Sequence, residues 1–198
     1  MLVTEMAGRA SVEMKSKELG YDITGDAERV THIVETVKDL ESKGWTFEAA
    51  DASFELILMG SDESQSRFEV ESWRTIVEQD TSGDVRTEAT VKVRANGERM
   101  ISTAEGNGPV NALDKALRSA VTSLHPKLEP LELIDYKVRI LEKSDADTSG
   151  TASVTRVLVS TSDGKREWTT LGVHENVIAA SWRALEDALT YGLMRSQA

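Results

Sequence analysis

The sequence predicts an α+β protein, built mainly from a strand-strand-strand-helix unit that occurs twice. The first observation behind this is a repeat. Asn96 to Leu117 (NGERMISTAEGNGPVNALDKAL) and Asp163 to Leu185 (DGKREWTTLGVHENVIAASWRAL) share one order. Each has an Asn-Gly or Asp-Gly turn, a short strand, a polar Gly-containing corner, and a helix with an Ala-Leu pair. The second is a change of hydrophobic period, helical over the first 60 residues and alternating afterwards. The third is composition: 39% hydrophobic and 29% charged over 198 residues suits a packed core rather than global disorder. The expected architecture is a duplicated βββα domain with helices on one face of the sheets, preceded by a small helical linker subdomain. The boundaries fall at 1–63 for the linker and 64–198 for the duplicated domain, with pseudo-repeats 64–127 and 128–198. A duplicated unit of this kind builds one domain around a pseudo-twofold axis, and the place where the halves meet is a natural ligand site.

Each element follows from local signals. Residues 9–19 read as a helix stopped at Gly20. Residues 26–43 form a second, with Asp26 as cap, Val30, Ile33, Val34, Val37 and Leu40 at helical spacing, and Gly44 at its end. Phe47 to Met59 is expected to be a third helix, and 60–66 a polar linker. Residues 68–78 then read as a strand and 79–87 as a turn. Ala89, Val91, Val93 and Ala95 alternate with Thr90, Lys92 and Arg94, and Asn96-Gly97 is a hairpin signal. The returning strand is expected to end near Thr103. Gly106-Asn107-Gly108-Pro109 opens a helix, with Pro109 in the first turn where a missing N–H costs nothing. Val110, Leu113, Leu117, Val121 and Leu124 mark its buried stripe, and Pro126 ends it. In the second repeat Ile134, Tyr136, Val138 and Ile140 alternate with polar residues, 142–150 is a polar loop, and 151–160 and 166–173 form a hairpin around Asp163-Gly164. Asn176 caps a last helix with Ile178, Trp182, Leu185 and Leu189 on one face.

Charge and residue inventory narrow the function. The formal net charge is -11, and residues 1–64 carry 14 acidic against 6 basic side chains. No basic stripe exists to replace counterions, which disfavours nucleic acid and anionic membrane as partners. Cysteine is absent, so disulfides, thiolate metal sites and a Cys nucleophile are excluded together. No segment has the roughly 20 apolar residues of a membrane span, nor an apolar leader at the N-terminus. A cytoplasmic location is the expectation.

Catalysis finds little support. His32, His125 and His174 have no metal-ligand spacing, and no nucleophile elbow, P-loop or His-Glu-x-x-His pattern occurs. Asp145, Asp147 and Asp163 read as solvated loop residues. No catalytic residue and no metal ligand is assigned, and no cofactor is expected in this chain. Trp45, Trp73, Trp168 and Trp182 lie on separate elements and read as packing residues, not as a stacking platform. The Gly106-Asn107-Gly108-Pro109 corner is the exception. Two glycines allow outward N–H groups just before a helix start, where the helix dipole favours an anion. A carboxylate suits it better than a diphosphate, because the loop is short and has no Lys. Asn111, one turn in, can offer its carbonyl oxygen to an ammonium or hydroxyl group. The same residues also fit an ordinary strand-to-helix turn. Tyr136 is open in the same way: a core residue by periodicity, or a cleft residue whose hydroxyl needs a partner.

The segments TAEGNGPVNALDKALRSA, LIDYKVRIL, Gly150-Thr151-Ala152 and WTTLGVHENVIAASWRALEDALTY closely resemble the C-terminal regulatory domain of the 2-isopropylmalate synthase family. LVTEMAGRAS and GWTFEAADASFELIL resemble its (R)-citramalate synthase branch. The resemblance runs through the whole chain. It implies part of an acyltransferase that condenses acetyl-CoA with a 2-oxo acid, pyruvate in the citramalate branch, on the way to isoleucine. The family's catalytic (β/α)8 barrel, which uses a divalent metal and acetyl-CoA, has no counterpart here, so the chain is expected to be inactive alone. The implied partners are that barrel, a second copy in a homodimer, and an effector, isoleucine or leucine, that exerts feedback inhibition. Matched positions imply an effector site. Gly106, Asn107 and Gly108 would give amides, and Val110 and Asn111 begin the first helix. Leu133, Asp135, Tyr136 and Ile140 line a strand, Thr151 and Ala152 start the next, and His174 to Asn176 form the second corner. The resemblance is equally compatible with a structural dimerisation module lacking an effector site, or with the leucine-regulated 2-isopropylmalate synthase version.

Overall fold

In the computed structural model the described residues are 8–23, 25–60, 68–95, 97–141 and 153–196. Among them the chain runs α1 (Arg9–Glu18), α2 (Ala27–Ser42), α3 (Asp51–Met59), β1 (Glu69–Gln79), β2 (Val85–Ala95), β3 (Glu98–Gly106), α4 (Pro109–Leu124), β4 (Glu132–Leu141), β5 (Val154–Ser162), β6 (Glu167–His174) and α5 (Val177–Arg195). The strands form two three-stranded antiparallel sheets, ordered β1-β2-β3 and β4-β5-β6. The predicted α+β class and twofold βββα order are therefore present. Thr151, Ala152 and the loop 142–150 lie outside the described residues.

The chain divides into two compact units, one comprising 1–62, 133–161 and 167–188, the other 63–132, 162–166 and 189–198. In the first, α1–α3 close around Val12, Ile23, Val30, Ile33, Val37, Phe47, Phe54 and Leu58. Asp26 caps α2 as expected, its Oδ1 accepting from Arg29 N–H at 3.0 Å. Gly44 follows α2 with φ +99°, a backbone state that L side chains rarely adopt. One expectation is corrected: the third helix begins at Asp51, not Phe47. Phe47 is buried in an irregular stretch, its ring 5.8 Å from that of Phe54 and 6.1 Å from Trp45. Ring packing thus takes over from helical periodicity there. α3 is buried nearly all round, at Ala52, Ser53, Phe54, Glu55 and Leu58, as expected of a helix with packing on more than one side.

The second sheet in this unit carries α5 on one face. Trp168 Nε1 donates to Ala188 O at 3.2 Å and Thr170 Oγ1 to Ala184 O at 2.7 Å. Gly172 completes this row. An added Cβ there would overlap the Ala180 carbonyl oxygen and come within 3.0 Å of Ala184 N, so the helix rests directly on the strand backbone.

In the other unit, α4 packs over β1, β2 and β3. Ala89, Val91, Val93 and Ala95 of β2 meet its buried Ala112, Leu113, Ala116, Leu117, Ala120 and Val121. Each fully buried Leu there contributes about 1.5–3 kcal/mol relative to exposure. The β2–β3 ladder runs from Ala95↔Glu98 to Thr87↔Gly106. The returning strand therefore extends past Thr103 to Gly106, and the corner's first glycine is still sheet. In β1 the register shifts between Val70 and Ser72, leaving Glu71 as the extra residue of a bulge. Its carboxylate meets Arg94 Nη2 at 2.8 Å and Arg99 Nε at 2.7 Å, and these hydrogen bonds, Arg99 first, hold it below the usual carboxylate range.

Candidate functional site

The corner between β3 and α4 is tight. An added Cβ on Gly106 would lie 2.5 Å from Ala112 N and 2.8 Å from Asn111 Oδ1. Only a glycine lets the strand end this close to the first helical turn. Gly108 then takes an extended conformation (φ 176°, ψ 170°), offers no side-chain cap, and lets Pro109 begin α4. Asn111 bonds within the corner itself. Its Oδ1 accepts from Asn107 N–H at 3.2 Å, so the carbonyl oxygen assigned to an incoming ammonium is turned back onto the corner. A carboxylate using the Asn107 amide has to displace that side chain. Lys115 Nζ, one turn on, reaches Glu105 O at 3.2 Å and supplies positive charge near the corner.

The second corner has a parallel device. His174 Nδ1 accepts from Asn176 N–H at 2.8 Å. Asn176 Oδ1 accepts from Ile178 and Ala179 N–H at 2.8 and 3.2 Å, which is the predicted cap of the last helix. Both residues are solvent-exposed.

The β4 residues differ among themselves. Tyr136 is half-buried, and its hydroxyl lies 2.7 Å from Ser181 Oγ. Ser181 Oγ donates to Val177 O at 2.7 Å, so the tyrosine is the donor of that pair. The phenol oxygen keeps its lone pairs and can accept from an ammonium group. Ser181 was not singled out in the sequence, because a serine on a helix's buried face carries no signal of its partner 45 residues away. Asp135 accepts from Tyr136 N–H at 2.9 Å and from Lys137 Nζ at 2.5 Å; Lys137 is the main cause of its lowered pKa. Leu133 is half-buried, whereas Ile140 is 61% exposed, with Ile134 and Val138 also exposed. Of the remaining matched residues, Val110 is half-buried at the start of α4. Gly106 to Asn111 belong to one compact unit; Leu133, Asp135, Tyr136, Ile140, His174 and Asn176 belong to the other.

Among the described residues no group of His, Asp and Glu side chains is arranged to hold a metal ion. No described helix is long and apolar enough to cross a membrane. One carboxyl on α5 lies well above the usual carboxylate range. Burial raises the Asp187 carboxyl to about 7, against the pull of Arg183, whose Nε lies 3.3 Å from Oδ2. A raised folded-state value means that ionising Asp187 costs stability. The cost is absent below about pH 4, where the unfolded chain still holds the proton, and grows until about pH 7. Asp187→Asn is therefore expected to melt about 5 °C higher than the parent at pH 8 and no higher at pH 4, by scanning calorimetry.

Residues 48–193 match the family described as the LeuA allosteric (dimerisation) domain. The chain belongs to this LeuA domain family. The LeuA domain here, with its preceding helices, is 60% identical over 198 residues to the (R)-citramalate synthase of Streptomyces coelicolor, covering 99% of this chain and 36% of that protein. It is 40% identical over 197 residues to the (R)-citramalate synthase of Aquifex aeolicus, covering 98% and 37%. The 2-isopropylmalate synthase of Acetivibrio thermocellus is more distant, 26% identical over 191 residues, covering 96% and 34%. The chain thus spans little more than a third of the length of these curated relatives. The resemblance read from the sequence, to the regulatory domain of the 2-isopropylmalate synthase family and most of all to (R)-citramalate synthase, is supported throughout.

Proposed function

We propose that this chain is the effector-sensing segment of an (R)-citramalate synthase, and that it binds a branched-chain amino acid, isoleucine before leucine, as a feedback signal. What carries the reading is the 60% identity, running the whole chain, to a protein named (R)-citramalate synthase. The corner geometry adds a chemical reason. An amino acid presents a carboxylate, an ammonium group and an apolar branch. The Gly106–Gly108 backbone at the start of α4 suits the first. On β4, Tyr136 offers an acceptor for an ammonium group, and of the matched apolar residues Leu133 and Ile140, which lie on opposite faces of that strand, only one can meet the branch. The resemblance adds Thr151, Ala152, His174 and Asn176 as further matched positions. Binding acts on catalysis only if the effector prefers one conformational state over another. The acetyl-CoA-dependent condensation itself belongs to the metal-dependent barrel of such an enzyme, with which this segment would communicate in the cytoplasm.

Asn111→Asp tests the corner with almost no change of shape. The new carboxylate keeps the acceptor for Asn107 N–H and suits the helix N-terminus, but repels an incoming carboxylate. Isoleucine is expected to raise the melting temperature of the parent, and its affinity for the variant to fall about tenfold or more. Equal affinity for both proteins removes the corner from the site.

A second reading, a dimerisation module without an effector, draws on one observation. The edge strand β4 leaves Ile134, Val138 and Ile140 between 45% and 61% exposed, an apolar strip suited to a second copy. Sedimentation that shows a dimer, together with no thermal response to isoleucine, leucine or valine, favours this alternative.

A further inference from the structure

We propose that helices α1–α3 and the β4–β6 sheet form one cooperative folding unit, latched by two side-chain-to-backbone bonds. The first bond is Ser53 Oγ on α3, which accepts from Leu171 N–H at 2.8 Å. β6 is an edge strand, and an edge N–H has no strand to pair with. Ser53 supplies the missing acceptor at a buried position, where an unmade bond is costly. The second bond is Arg156 on β5, whose Nε donates to Gly44 O at 2.7 Å and whose Nη2 donates to the same oxygen. Gly44 O lies just past the C-terminus of α2, where helix carbonyls leave a partial negative charge. The last turn of α2 has no basic residue and the Lys43 that caps it is paired with Asp39, so Arg156 of the sheet brings a further cation to this carbonyl.

Packing agrees with the bonding. A Cβ on Gly44 would lie 2.5 Å from Leu141 Cδ1 and 3.7 and 3.9 Å from methyls of Val173 and Val154, so the α2–α3 turn rests on all three strands of the sheet. The even-numbered residues of β6 meet α5, which places Val173 on the opposite face. The sheet is thus held by α5 on one side and by the helical segment on the other. Anything that strains this sheet is then felt in α2 and α3, although 112 and 118 residues separate the bonded pairs.

Native-state hydrogen exchange against low denaturant tests the latch without any effector, so its outcome is independent of whether isoleucine binds. The probes are the amides of Ile33 and Val37 in α2 and of Val157 and Val159 in β5. In the parent they are expected to share one opening, with the same denaturant slope. In the Ser53→Ala/Arg156→Met double variant the α2 amides are expected to lose about tenfold in protection while the β5 amides keep theirs. Ser53→Ala alone gives the same direction with a smaller factor, should the double variant fail to fold. Separate openings in the parent overturn the proposal. So does an equal loss at all four probes in either variant.

Discussion

Phe54→Ala is expected to lower the unfolding free energy by about 4 kcal/mol, measured by urea denaturation with the chain otherwise intact. Phe54 is fully buried and meets Phe47 edge-on at 5.8 Å, in a cluster that joins α1, α2 and α3. Truncation removes the ring's transfer free energy and leaves a cavity whose walls are Val, Ile, Leu and Phe side chains. Those walls belong to three helices already packed on one another, so collapse is limited and the cost stays near the upper part of the range for such changes. The helices of this segment and the β4–β6 sheet are expected to be lost together in the far-UV spectrum, as one transition. A cost below about 1 kcal/mol would mean that this cluster is not the core of the helical segment.

Gly172→Ala is expected to cost about 3 kcal/mol, the upper end of ordinary overpacking. The clash is with backbone, the Ala180 carbonyl oxygen and Ala184 N, so no side chain can rotate out of the way. α5 has to lift from β6. Doing so also stretches the Thr170 Oγ1–Ala184 O bond and the Trp168 Nε1–Ala188 O bond, which share that face. Tryptophan fluorescence reports the displacement directly, because Trp168 and Trp182 are both on this layer and both buried. Gly164→Ala, at an open turn with nothing within 4 Å, is a control for the loss of a glycine as such, although its φ of +81° gives that change a backbone cost of its own.

The parts legible in the sequence were those set by local chemistry. Pro109 after two glycines fixed the start of α4, and Asn176 fixed the cap of α5, because a missing N–H and an Asx acceptor act within a few residues. Alternation in β2 marked its buried face for the same reason. Phe47 and Ala50 fit a helical period, but ring packing overrides it and the third helix begins at Asp51. The returning strand runs past the Thr103 end expected from local signals, because its ladder continues by pairing with β2, a tertiary fact. At the candidate site, the glycine corner and Tyr136 were visible by residue type. What the sequence did not disclose was their internal bonding: Asn111 turned back to Asn107, and Tyr136 satisfied by Ser181. The Ser53–Leu171 and Arg156–Gly44 bonds leave no periodic or spacing signal at all, since each joins elements more than 100 residues apart.

The most direct measurement is calorimetric titration of isoleucine, leucine and valine into this chain. Saturable heat is expected with isoleucine, with weaker binding of the other two and a marked loss in Asn111→Asp. A flat trace at millimolar isoleucine, with no change in melting temperature, would contradict this expectation.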